Sequence, residues 1–328
     1  MESKTKTEIP NALIEEMVRA QFGSALKVRG IQPLTAGWFN ASYAISFQGA
    51  HPDLVLRVAP DPALRLLCYE KDMMRAEIKV YELIQQLDVP TPQVLGYDVE
   101  RKIINRDYMF LARLSGRPLD EVVDSLSQEN NDALQYELGV YAARMQALQG
   151  PCFGYIGGQP EQAASWRQAF LNMVFALLDD GVELEAQLPL AYRQIRTMFT
   201  DLAYALDEIQ QPSLVHWDLW PVNVFVVADN SGRYSIESII DWERTFWGDP
   251  EAEAPVVTMH YGPSFFKGYG KELAAGRSAR IRQCMYRLYL WLIMVIEARV
   301  RFEHAEHLEW THANLEKDLR VLRGYQKT

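Results

Sequence analysis

Cysteine is scarce in this chain of 328 residues: Cys68, Cys152 and Cys284 are odd in number and far apart. They make neither a disulfide framework nor a ligand pair, and they fit a reducing cytoplasm. Long apolar runs are also missing. The best, residues 288–296, falls between Arg287 and Glu297 and is far short of the roughly 20 residues a membrane helix needs, so it reads as a buried core helix. The N-terminus, Met1-Glu2-Ser3-Lys4-Thr5-Lys6, leads into a polar stretch, and no signal peptide is expected. Basic charge is short as well. The net charge is −10, with −1 over residues 1–112 and −9 over residues 113–328, and no basic cluster stands out. A nucleic-acid binder would show a basic face; neither nucleic acid nor a membrane is therefore an expected partner. No Gly-x-x-x-x-Gly-Lys-Ser/Thr sequence is present, which excludes a Walker-type phosphate loop.

What remains is an ordinary globular composition, 48% apolar and 23% charged. The length suggests two domains, or two lobes of one unit, at about 150 residues each. The first part reads as a small β-rich lobe. Residues 11–22 have helical apolar spacing, and residues 42–47 and 54–58 look like a strand pair around the turn Gln48-Gly49-Ala50-His51-Pro52-Asp53. The spacing predicts one long helix over 64–87, stopped by Val89-Pro90-Thr91-Pro92, then strands at 93–99 and 108–114. After Ser115-Gly116-Arg117-Pro118 the pattern turns helical, at 131–148, 162–178, 190–209 and 277–321. A strand block at 213–241 interrupts it, with the hairpin turn Asp229-Asn230-Ser231-Gly232 inside. The expected fold is α+β and bilobal: residues 1–112 a β-rich lobe, 113–118 a hinge, 119–328 a larger and mostly helical lobe.

The sharpest chemical signal is Val215-His216-Trp217-Asp218-Leu219-Trp220-Pro221-Val222-Asn223, which runs into an apolar strand. A second acid, Asp241, closes Ile239-Ile240-Asp241-Trp242-Glu243. A hairpin between Asn223 and Asp241 would bring the two together. An amide and a carboxylate oxygen suit a hard cation such as Mg²⁺. A separate carboxylate, Asp218, would orient an accepting hydroxyl and take its proton. Phosphoryl transfer needs that set, since it relies on alignment and charge neutralisation. His216 would order the loop.

This block resembles the catalytic core of the aminoglycoside phosphotransferase and choline kinase family, which shares the protein-kinase-like fold. The resemblance makes Asp218 the catalytic residue and Asn223 with Asp241 the metal pair. Gly248-Asp249-Pro250 resembles a further family motif, in which Asp249 would cap a helix. In the first lobe, Leu34-Thr35-Ala36-Gly37-Trp38-Phe39-Asn40-Ala41-Ser42 resembles the nucleotide loop, so Gly37, Asn40 and Ser42 are expected near phosphates. Arg57 stands where the family has Lys, keeping the charge and allowing bidentate binding. Glu77 fits the helix glutamate that pairs with this cation, with Glu70 and Glu82 as alternatives. Backbone around Leu111 and Arg113 would hold the base edge, and Arg113 stands where the family often has an acid. The implied activity is a Mg²⁺-dependent kinase moving the γ-phosphoryl group of ATP or GTP to a hydroxyl of a small acceptor, such as an antibiotic, amino-alcohol or sugar. The acidic second half suits a cationic acceptor, or simply solubility. The alternative is a kinase-like module that binds nucleotide with little or no transfer.

Overall fold

The computed structural model describes residues 4–301 and 305–326. In chain order its first elements are α1 (Asn11–Phe22), β1 (Val28–Leu34), β2 (Ala41–Phe47), β3 (Leu54–Val58), α2 (Met73–Ile84), β4 (Val94–Asp98) and β5 (Tyr108–Ala112). Then come β6 (Arg117–Pro118), α3 (Leu119–Val122), α4 (Gln128–Gln146), β7 (Gly154–Tyr155), α5 (Trp166–Glu183), α6 (Tyr192–Leu202) and β8 (Ser213–Val215). The last are β9 (Val224–Ala228), β10 (Tyr234–Ile239), β11 (Phe246–Gly248), α7 (Ala254–His260), α8 (Pro263–Tyr269), α9 (Arg277–Arg301) and α10 (Ala305–Gln326). No described helix is long and apolar enough to cross a membrane.

Contacts divide the chain into two compact units. The first holds Met1–Leu66 and Thr91–Ser115 with the end of α9; the second holds Leu67–Pro90, Gly116–Arg299 and the C-terminal segment. A single cut at 113–118 therefore does not describe the division, because α2 and its flanks pack with the second unit. The reason is a set of ties at both ends of that segment. The Cys68 amide donates to the Asp180 carboxylate at 2.6 Å, and Tyr69 stacks on Tyr155 with ring centroids 5.7 Å apart. At the other end Arg144 donates to the Asp88 carbonyl at 2.6 Å, and the Ile239 amide to the Pro90 carbonyl at 2.9 Å.

The first unit is one antiparallel sheet in the order β1-β2-β3-β5-β4. Alternation in β3 puts Leu54, Leu56 and Val58 into a core with Ile14, Met17 and Val18 of α1 and with Ile45, Phe47 and Phe110. β1 escaped the sequence reading because Gly30 and Pro33 interrupt it. An edge strand tolerates them, since one side of its backbone needs no partner.

The second unit is mostly helical, with two small sheets ordered β10-β9-β6 and β7-β11-β8. The hairpin β9–β10 turns through Gly232 at φ 81°, with the Asp229 carboxylate accepting the Ser231 amide at 2.8 Å. The helix expected over 64–87 begins only at Met73. Before it, the Glu70 carboxylate accepts the Leu67 amide at 2.8 Å, a 3-10 turn spans Cys68–Glu70, and Asp72 takes φ 59°. The tail is two helices, α9 and α10, joined outside the described residues. Buried Asp318 on α10 locks them, accepting from Arg287 and the Trp291 indole of α9, both at 2.9 Å.

Candidate active site

The His216–Asn223 segment leaves β8 and enters β9 through a 3-10 turn at Pro221–Asn223. His216 is fully buried. Its Nδ1 accepts the Asp218 amide at 3.1 Å, and its Nε2 lies 3.1 Å from the Ile240 carbonyl. Only the neutral ring protonated at Nε2 satisfies both partners. Burial enforces the same state, lowering the His216 pKa to about 4. Trp217 holds φ 66°, in the left-handed region, and so turns Asp218 away from the strand direction.

Asn223 joins the two halves of the motif. Its Nδ2 donates to the Asp218 carboxylate at 3.0 Å and to the Asp218 carbonyl at 2.8 Å. Its own carbonyl accepts the Ile240 amide at 3.0 Å, one residue before Asp241. With both amide hydrogens engaged, Asn223 Oδ1 is the atom left for a cation. Asp241 takes φ 67°, and its carboxylate oxygens come within 4.8 Å of those of Glu77 and Glu243. These hard oxygen donors fit Mg²⁺ chemically. Burial pushes the Asp218 carboxyl up to about 6; the Arg244 guanidinium works against that shift, and the nearby Asp241 charge adds to it.

In the first unit, Gly37 takes φ 82° and Asn40 is buried. Ser42 lies directly opposite Arg57 across β2 and β3, and Leu111 opposite Val55 across β5 and β3. Strand alternation puts Ser42, Arg57, Val55 and Leu111 on one sheet face, away from α1. Arg113 follows β5 directly and is tied to Asp53. Its guanidinium pairs with Asp53 at 2.9 Å, and its amide donates to the Asp53 carbonyl at 3.3 Å. The Ala112 amide donates to the Gln93 carbonyl at 2.9 Å. Glu77 belongs to the second unit, where it accepts the Tyr81 hydroxyl at 3.0 Å beside Asp241.

A model of the phosphotransferase enzyme family matches residues 30–287. The chain belongs to that family. Among similar solved structures is a thermostable mutant of aminoglycoside phosphotransferase APH(4)-Ia in ternary complex with AMP-PNP and hygromycin B. It is 20% identical, with a TM-score of 0.65 over 94% of this chain and 98% of that one. The GDP complex of aminoglycoside 2'-phosphotransferase-IIIa is 16% identical, with a TM-score of 0.63 over 95% and 99% of the two chains. A candidate fructosamine-3-kinase from Thermobifida fusca is 17% identical, with a TM-score of 0.65 over 93% and 98%. No curated protein matches the chain significantly. The fold is thus the α+β, protein-kinase-like one of the aminoglycoside kinases, and this member of the phosphotransferase family is an enzyme.

Two features of this phosphotransferase have no local signal in the sequence. Glu253, buried, accepts the His216 amide at 2.9 Å and the Trp217 amide at 3.2 Å, so it braces the loop before Asp218 from 36 residues away. Arg244 pairs with Glu297 of α9 at 2.8 Å, with both side chains only 9% exposed, and lies over the Tyr69 ring. Asp249 does cap the following turn through the Glu251 amide at 2.9 Å. It also anchors α9 by accepting from Arg282 at 3.0 Å and the Tyr286 hydroxyl at 2.7 Å.

Proposed function

We propose that the protein is a Mg²⁺-dependent small-molecule kinase that transfers the γ-phosphoryl group of ATP or GTP to a hydroxyl of a small acceptor. The observation that carries this reading is the knot at Asn223, whose side chain holds the Asp218 carboxylate and whose backbone holds the residue before Asp241. Asp218 is assigned as the catalytic base. It orients the acceptor hydroxyl and accepts its proton while the acceptor oxygen bonds to phosphorus and the bond to the leaving diphosphate breaks. A carboxyl held up to about 6 by burial is a better proton acceptor than an exposed one and is still ionised at neutral pH. Asn223 Oδ1 and Asp241 would hold the cation, which supplies charge neutralisation to the phosphates when bound.

Nucleotide binding falls to the first unit. Gly37, Asn40 and Ser42 are assigned to the phosphates, together with Arg57, which shares a sheet face with Ser42. The base edge is assigned to the backbone at the end of β5, around Leu111 and Arg113, as the family resemblance implies. Glu77 positions the cation site from α2. Similar structures holding AMP-PNP or GDP support a nucleotide co-substrate without choosing between ATP and GTP. An antibiotic, amino-alcohol or sugar acceptor fits the family, and the acidic second unit favours a cationic one. A reducing cytoplasm is the compartment assigned to a chain with three cysteines so far apart in sequence.

The test is a mass-shift screen of metabolites and antibiotics with Mg²⁺-ATP and Mg²⁺-GTP, wild type against Asp218→Asn. A gain of one phosphate by an acceptor, lost in the variant, is the expected result. An acceptor phosphorylated equally well by both proteins would remove Asp218 from the chemistry.

A further inference from the structure

The N-terminal segment before α1 is tied to the loop that carries Gly37. The Lys6 ammonium donates to three successive carbonyls, those of Leu34 at 3.5 Å, Thr35 at 3.1 Å and Ala36 at 2.9 Å. Thr5, buried, donates its hydroxyl to the Trp38 carbonyl at 3.0 Å. On either side the segment is held fast. The Lys4 amide donates to the Arg301 carbonyl at 3.0 Å, and the Ile9 amide to the Tyr43 hydroxyl of β2 at 2.7 Å. Arg301 in turn lies over the Phe39 ring at 5.0 Å. All of these residues belong to the first unit.

The consequence is geometric. In a planar trans peptide the carbonyl of one residue and the amide of the next point in opposite directions. Three carbonyls gathered on Lys6 therefore turn the amides of Thr35, Ala36 and Gly37 away from it, and Thr5 does the same for the Phe39 amide. No described residue accepts from the Thr35, Ala36 or Gly37 amides. Gly37, at φ 82°, turns the chain just after the third of these amides. Consecutive amides on one side form an anion-receiving concavity.

We infer that Lys4–Ile9 is a built-in strap that pre-orders the nucleotide loop, with Lys6 and Thr5 as positioning residues for the triphosphate. The strap holds the carbonyls so that the amides are presented before the ligand arrives, which removes ordering cost from binding. Lys6 acts through the loop and does not touch the phosphates. The inference rests on the kinase reading above, and it adds to that reading a determinant outside the motifs.

The experiment uses the full chain. Mg²⁺-ATP and Mg²⁺-GTP binding is measured by calorimetry for wild type, Lys6→Ala, Lys6→Arg and Thr5→Val, and adenosine and guanosine binding by displacement. Thermal unfolding confirms that each variant is folded. Lys6→Ala should weaken the preferred triphosphate about tenfold and leave the nucleosides unchanged, because only phosphates use the loop amides. Lys6→Arg should recover most of the loss, since it retains a cation over the same carbonyls, and Thr5→Val should show a smaller loss in the same direction. Equal triphosphate affinity in Lys6→Ala and Thr5→Val overturns the strap while leaving the kinase reading intact. So does an equal loss for triphosphate and nucleoside, which would mark general damage to the unit. A wild-type protein that binds no triphosphate overturns the kinase reading, and the strap with it.

Discussion

Removing the Glu253 side chain tests whether the Asp218 loop is held from a distance. Glu253→Ala strips the partner from two buried backbone amides, those of His216 and Trp217. Each unsatisfied buried donor costs about 1–3 kcal/mol, so the direct loss is about 2–6 kcal/mol. Trp217 sits at φ 66°, and relaxation of that backbone would return about 1 kcal/mol. The net loss near pH 6 should be about 3 kcal/mol, a large share of the roughly 5–15 kcal/mol that holds a typical domain together. The pH dependence has a definite sign. Burial raises Glu253 to about 7, so between its unfolded value and 7 the folded protein binds more protons than the unfolded chain. Its contribution is therefore largest in acid and declines as pH rises through 7. The gap between wild type and Glu253→Ala in urea unfolding should narrow from about pH 6 to about pH 8. Turnover should fall along with stability, because Asp218 follows Trp217 directly. A loss below about 1 kcal/mol near pH 6, with turnover intact, would refute the bracing role, since even one stranded amide should cost that much.

Other outcomes follow from the same geometry. Asp218→Asn should lower kcat by about 10²–10⁴-fold with nucleotide binding retained, as read by steady-state kinetics and calorimetry. Asp241→Ala should abolish the Mg²⁺ dependence of nucleotide binding; unchanged titrations with and without Mg²⁺ in wild type would contradict that assignment. His216 stays neutral in the fold down to about 4, so its contribution to stability rises as pH climbs from 4 towards its unfolded value. His216→Gln should accordingly lose more stability at neutral pH than at pH 5, by about 2 kcal/mol in paired urea titrations. Gly139 of α4 and Gly268 of α8 face the neighbouring helix so closely that an added Cβ would collide with the Phe265 and Tyr136 carbonyl oxygens, respectively. Either Gly→Ala change should cost about 1–3 kcal/mol in thermal or urea unfolding, as overpacking does.

Signals that are local in the chain were legible before any coordinates. The hairpin around Asp229–Gly232 declares itself through turn chemistry, and β2, β3 and α1 through their apolar periodicity. His216, Asp218, Asn223 and Asp241 fall within 26 residues that read as one strand–turn–strand unit, so their association was readable from spacing. Long-range partners left no such trace. Nothing near Leu67 says that Glu70 will turn back onto the chain, so the helix was expected too early. Nothing near Arg113 says that Asp53, in the β2–β3 connection, will pair with it.

The order of residues by itself determined the His216–Asn223 motif, the position of Asp241 at the end of the same hairpin, and the β-rich and helical portions of the chain. Those properties depend on side-chain identity and on spacing within a hairpin. The tertiary structure alone decided that α2 packs with the second unit, that Glu253 braces the loop before Asp218, and that Lys6 gathers the carbonyls beside Gly37. Each of these pairs residues tens of positions apart. Such contacts form because a buried amide, carbonyl or carboxylate must find a partner wherever the folded chain offers one.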